Sequence, residues 1–340
     1  MRSNASNSFL RPLLPHLARS DVKEIVVNQP QEVGLETKNG WVWETVDDLT
    51  FDVLMAMAKS LAGAMNQDVT PENPVCSSVL PEGERVQILI PPAVPEGTVS
   101  LTIRKPSSLT MSLADMDDRG LFSRVEGRDA RHIVSENDRE LLALLDKGDW
   151  VSFLKCAVVA RKNILISGAT GSGKTSLSKA LLHLIPPHER ILTIEDTREL
   201  SLPHRNVVHM TYPKDGNGMM RIGAKELLES ALRMRPDRIM LQELRDGTAF
   251  YYLRNVNSGH PGSITTVHAN SARGALEQLT LLVKESEGGH DLTRDDIRGL
   301  LRSLVDIVIQ MKCFEPIDGR PAEYRATEIF FEPPVVETTQ

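Results

Sequence analysis

One octapeptide constrains this chain more than any other feature: Gly168-Ala169-Thr170-Gly171-Ser172-Gly173-Lys174-Thr175, a match to G-x-x-x-x-G-K-[ST]. Its flanks predict the context that the motif needs. Ile164-Leu165-Ile166 is an apolar strand, and Ser176–Leu184 has the pattern of an amphipathic helix. In such a strand–loop–helix unit the glycines let backbone N–H groups close on phosphate oxygens, and the helix N-terminus adds partial positive charge. Lys174 is expected to reach the β- and γ-phosphates, with the Thr175 hydroxyl toward Mg²⁺ and Ser176 opening the helix. The whole run 168–176 is therefore the candidate binding loop for ATP or GTP.

The segments around the loop alternate between strand and helix. Ile191–Ile194, Val207–Thr211, Arg238–Leu244 and Ile264–Val267 read as strands, and Lys225–Met234 and Thr248–Asn257 as helices. Alternating βα units predict an α/β domain with a mainly parallel sheet covered on both faces. A β-rich tail follows, Ile307–Met311 and Arg325–Phe331 about a turn at Asp318-Gly319. The front of the chain reads differently. Short strands flank Asn39-Gly40, and Thr50 caps an apolar helical stripe. In Arg85–Ile90 and Thr98–Arg104 the apolar residues alternate with Arg85, Gln87, Ser100, Thr102 and Arg104. This predicts a smaller α+β domain over residues 1–105, with one solvated sheet face carrying two arginines. The charge-mixed stretch 106–138 reads as a linker, and 139–340 as the second domain.

Composition narrows the function classes. The chain has 340 residues, 41% hydrophobic and 25% charged, and carries a formal charge of −7. That balance predicts no stable nucleic-acid binding. Three widely spaced cysteines fit a reducing cytosol and offer no zinc framework. No apolar run approaches the roughly 18–20 residues that would span a bilayer, and the N-terminus lacks the apolar core of a secretory signal. A soluble, cytoplasmic two-domain protein is expected.

Two acidic strand ends and a pair of histidines complete the chemistry. Ile239-Met240-Leu241-Gln242-Glu243 is an apolar run ending in a carboxylate, placed to hold the Mg²⁺ water shell or to polarise an attacking water. Ile194-Glu195-Asp196-Thr197-Arg198-Glu199 is a second acidic strand end. Which of Glu195, Glu199 and Glu243 positions the water stays open at this level. His260 and His268 bracket the strand of Ser258–Asn270, and His268 at its C-terminal end is expected near the phosphates.

Taken in this order, these segments resemble the type II/type IV secretion ATPase family. Glu84–Pro92 with Val99–Ser107 looks like the N-terminal domain of its type IV traffic ATPases. The resemblance implies a RecA-like P-loop ATPase domain and a cytoplasmic homo-hexameric ring. It also implies nucleotide at the hinge between domains, and work with inner-membrane secretion proteins through a peripheral association with the membrane. By matched position it makes Glu195 to Glu199 the acidic box, Glu243 the Walker B acid and His268 the histidine-box residue. It also brings Arg85, Arg104 and Arg235 to the nucleotide. Two features depart from the family: Gln242 stands where a small glycine is general, and the tetracysteine motif of type II and pilus-extension members is absent. The leading expectation is an ATP-driven motor for type IV secretion or conjugation, acting in pilus biogenesis and substrate translocation. Pilus assembly or retraction ATPases, a P-loop small-molecule kinase and a nucleotide-holding regulatory module are the alternatives.

Overall fold

The computed structural model describes residues 9–106, 111–123, 125, 135–214, 219–257, 259–316 and 321–333. After a 3-10 turn at Arg11–Leu13, the front half runs α1 (Leu14–Leu17), β1 (Val22–Val27), β2 (Glu32–Thr37), β3 (Gly40–Thr45), α2 (Phe51–Ala64), β4 (Val75–Val79), β5 (Arg85–Leu89) and β6 (Ser100–Arg104). The strands form one antiparallel sheet in the order β3-β2-β1-β6-β5-β4. Asn39-Gly40 makes the β2–β3 turn, where Gly40 takes φ +99°. The Thr50 hydroxyl accepts from the Val53 amide at 3.3 Å, and α2 lays Leu54, Met57, Ala58 and Leu61 into the core with Val86, Ile88 and Ile103. Pro74 and Pro81 flank strand β4 and so leave its ladder with β5 uninterrupted.

The back half runs α3 (Leu113–Asp118), α4 (Glu136–Lys147), α5 (Trp150–Val159), β7 (Ile164–Gly168), α6 (Lys174–Leu182), β8 (Ile191–Glu195), β9 (Val207–Thr211), α7 (Ala224–Ala231), β10 (Arg238–Leu241), α8 (Thr248–Asn257), β11 (Ile264–Val267), α9 (Ala272–Glu285), α10 (Arg294–Leu304), β12 (Ile307–Phe314) and β13 (Glu323–Phe331). Strands β10, β8 and β9 pair in parallel, as do β11, β7 and β12, while β13 closes the edge antiparallel. A parallel bridge from Glu243 to Thr266 joins the two groups, so the strands follow the order β9-β8-β10-β11-β7-β12-β13. The Ser263 and Thr266 hydroxyls reinforce that join by donating to the carbonyls of Ile239 at 2.9 Å and Gln242 at 3.0 Å. This is the α/β, mainly parallel architecture that the alternating pattern predicts. Within the segment read as a linker, α3 carries a capping box between Ser112 and Asp115, and α4 starts at Glu136 under a Ser135 cap. Residues 107–110, 124 and 126–134 of that segment, and the Asp318-Gly319 turn, lie outside the described residues. Among the described residues no helix is long and apolar enough to cross a membrane.

The sheet face expected to be solvated is so at Arg85 and Arg104, which are exposed, but not beyond them. Gln87 is 2% exposed and Thr102 1%, because the back half packs over them. Gln87 Nε2 donates to Ser230 Oγ at 2.6 Å, and Arg190 Nη2 to Thr102 Oγ1 at 3.2 Å. Leu89, Ala93 and Val94 belong to the same apolar cluster as Leu192, Ile194 and Met210. Polar residues at alternate positions fit water and a polar partner surface equally well, so alternation alone could not distinguish them. Arg190 is fully enclosed in this seam. It also donates to Asn28 Oδ1 and the Met234 carbonyl, both at 2.9 Å, and burial pulls its pKa down to about 9.

Glu24 lies in the same seam. Burial raises its carboxyl to a pKa of about 7, against the pull of Arg104, whose Nε is 3.6 Å from Oε1. A carboxyl with a folded pKa above its unfolded value favours the folded state fully at low pH, and that contribution is lost as pH rises through about 7. Glu24→Gln is therefore expected to raise stability at pH 8 by about 2 kcal/mol while leaving pH 4 unchanged. Urea unfolding of both proteins at the two pH values checks this, and an equal effect at both would refute it.

Candidate active site

Topology brings the chemistry together. The octapeptide leaves the C-terminal end of β7, and β11 lies between β7 and β10. A residue just past β11 therefore stands between the loop and the end of β10. That residue is His268. Its Nδ1 is 3.4 Å from Lys174 Nζ and its Nε2 is 2.9 Å from Glu243 Oε1. Residues far apart in sequence thus form one chain of contacts, Lys174–His268–Glu243.

The loop is built for an anion. Helix α6 opens on Gly173 with no side chain accepting from its first turn, which leaves those amides for a ligand. A Cβ on Gly168 would lie 2.4 Å from Ser172 Oγ and 2.6 Å from the Met311 carbonyl, so the backbone must stay bare there. Ser172 Oγ is buried without a hydrogen-bond partner among the described residues. Lys174 Nζ donates to the carbonyls of Gly168 at 2.8 Å and Ala169 at 2.9 Å. Desolvation draws its pKa down, and Glu243 partly opposes this. Ala169, Thr170, Gly171 and Ser176 are exposed, while Thr175 is half-buried at the start of α6. A phosphate fits this donor set. Thr175 and Glu243 are the candidate protein oxygens for Mg²⁺, and no group of three or more metal-binding His, Cys, Asp or Glu side chains occurs among the described residues. A cation that keeps most of its water needs no more from the protein.

The acidic box divides. Glu195 is buried at the end of β8, where its Oε1 accepts from the Leu200 amide at 2.9 Å. Burial raises its pKa to about 7. It is tied to the turn that follows it, an anchor for that turn. Glu199 is exposed on the same turn. Asp196 pairs with Arg245, a residue that no motif singled out, and this ties the β8 turn to the segment after Glu243. Burial works against the Arg245 charge, but Asp196 and Tyr212 outweigh it and raise its pKa. A basic residue two positions after the candidate acid was the only signal for it.

The three outlying arginines are placed differently from expectation. Arg235 precedes β10, at the end of the sheet opposite the loop, where it pairs with Glu36 and Asp237 and covers Trp41. The chain direction explains this, because all these strands run parallel and the phosphate side is their C-terminal end. Arg85 and Arg104 face each other across β5 and β6. Their sheet rests against the β8, β9 and α7 side of the back half, through Arg190, Asn206 and Ser230. Among the described residues no hydrogen bond or ion pair joins Arg85 or Arg104 to 168–176. Within one chain these three arginines do not complete the loop's pocket.

The family described as type II/IV secretion system protein matches residues 10–315. The type IV secretion system protein VirB11 of Bartonella henselae is 53% identical over 337 residues, covering 95% of this chain and 92% of that protein. The protein VirB11 of Rhizobium radiobacter is 42% identical over 311 residues, covering 91% and 90%. The crystal structure of the VirB11 ATPase from the Brucella suis type IV secretion system, in complex with sulphate, superposes with a TM-score of 0.89 at 39% identity, covering 97% of this chain and 98% of that one. The match over most of the chain, with a RecA-like sheet and its loop in place, shows that this chain belongs to the type II/IV secretion system protein family.

Proposed function

We propose that the protein hydrolyses ATP at the Lys174 loop and uses the energy to drive a type IV secretion apparatus. The observation that carries this reading is the contact chain Lys174–His268–Glu243, which sets a phosphate-reaching cation and a carboxylate on one side of the loop. The amides of α6 and the Lys174 ammonium bind the phosphates, Lys174 exchanging its two loop carbonyls for phosphate oxygens. Glu243 accepts a proton from the attacking water. His268, within contact of both Lys174 and Glu243, holds that carboxylate in place and senses the phosphate end. Thr175 and, through water, Glu243 would hold Mg²⁺, which when bound would neutralise charge developing on the phosphates.

The resemblance and the relatives support a homo-hexamer acting with inner-membrane secretion proteins, in the cytoplasm and peripherally at the membrane. A small-molecule kinase would need an acceptor pocket and a lid beside the loop. Here the front half instead shares a core with the back half. Electron microscopy of the full chain with a non-hydrolysable ATP analogue tests the motor reading. Six-fold rings are expected, and a monodisperse monomer near 38 kDa would overturn it.

A further inference from the structure

The loop has two flanks. On one, β11 brings in His268 and Glu243, which marks the end of the site that receives the terminal phosphate. The other flank is the hairpin of β12 and β13. Met311 pairs with Gly168 in the ladder, and beyond it β12 continues past the loop to Phe314, paired with β13 from Glu323. Alternation puts Met311, Cys313, Tyr324 and Ala326 on one face of the hairpin. That face meets the loop: a Cβ built on Gly173 would lie 3.3 Å from Tyr324 Cδ1 and 3.6 Å from Met311 Cε. Met311 is buried, yet Tyr324 is 61% exposed. Its hydroxyl makes no hydrogen bond among the described residues. The opposite face is already satisfied, because Lys312 and Arg325 cover the Phe314 ring and Arg325 pairs with Glu323.

A nucleoside triphosphate whose terminal phosphate points toward Lys174 and Glu243 has its base at the other end of the phosphate chain, on the hairpin flank. We propose that Tyr324 is the base-stacking residue of this site, its exposed ring beside Gly173 taking the face of the purine. The inference rests on the ATP reading above and deepens it. A flat aromatic ring held at the loop gives affinity for any base and sets nucleotides apart from bare phosphate chains.

Calorimetric titration of the full chain with ADP and with inorganic tripolyphosphate tests this without turnover. Tyr324→Ala is expected to weaken ADP binding about 10-fold while leaving tripolyphosphate binding unchanged. Tyr324→Phe and Tyr324→Trp are expected to keep ADP binding near the original value, because they keep the ring. ADP affinity unchanged in Tyr324→Ala would overturn the inference and leave the ATP reading standing. Equal losses for both probes would also overturn it, since they would mark the ring as mere support for Gly173. If the unaltered protein bound neither probe, the ATP reading itself would fall, and this inference with it.

Discussion

Lys174→Ala is expected to abolish measurable ATP hydrolysis and to weaken ATP binding about 100-fold, a loss on the scale of one or two charge-assisted hydrogen bonds. Lys174 is the cation of the loop, and its ammonium is already desolvated beside Glu243. The substitution also frees the Gly168 and Ala169 carbonyls that Lys174 now satisfies. Lys174→Met, which keeps most of the stem, separates lost charge from lost packing. Phosphate release and nucleotide titration of both variants, with a urea midpoint to confirm that they fold, check the expectation. Hydrolysis at the original rate in a folded variant would remove the loop from the reaction.

The second large effect is expected at Glu243. Glu243→Gln keeps the shape of the side chain and an oxygen for His268, whose Nε2 lies 2.9 Å from the present carboxylate. Nucleotide binding is therefore expected to stay within a few-fold of the original. Turnover is expected to fall about 100-fold or more, because an amide cannot take the proton from water. Single-turnover hydrolysis beside a binding titration reads the two effects separately. A normal rate would shift the base to Glu199, which is exposed on the neighbouring turn. Glu195 is the weaker substitute: it is buried, held by the Leu200 amide, and raised to a pKa of about 7.

Much of this was legible in the sequence, and for identifiable reasons. The octapeptide, its strand and its helix follow from local patterning, and so does the alternation that makes the sheet parallel. The closeness of Lys174, His268 and Glu243 is a matter of strand order, and local patterning carries no information on which strand lies between β7 and β10. The same limit explains the arginines. Two outward arginines on β5 and β6 are visible in the alternation, but the surface that their sheet rests on is set by tertiary packing. Arg235 sits close in sequence to Glu243, yet a whole strand separates them, and a strand carries its two ends to opposite sides of the sheet. Tyr324 was invisible for a related reason: its neighbour Gly173 comes from the far side of a long loop closure.

The seam between the halves bears on how such proteins could be recombined. Leu89, Ala93 and Val94 share an apolar cluster with Leu192 and Met210, and Arg190 finds partners from both halves. Chimeras that graft a foreign front half onto this back half therefore inherit a mismatched guanidinium cavity unless the graft supplies Asn28 and Thr102 to meet Arg190 and Asn206. Evolutionary shuffling of the two halves is constrained in the same way, so the seam residues are expected to co-vary as one block.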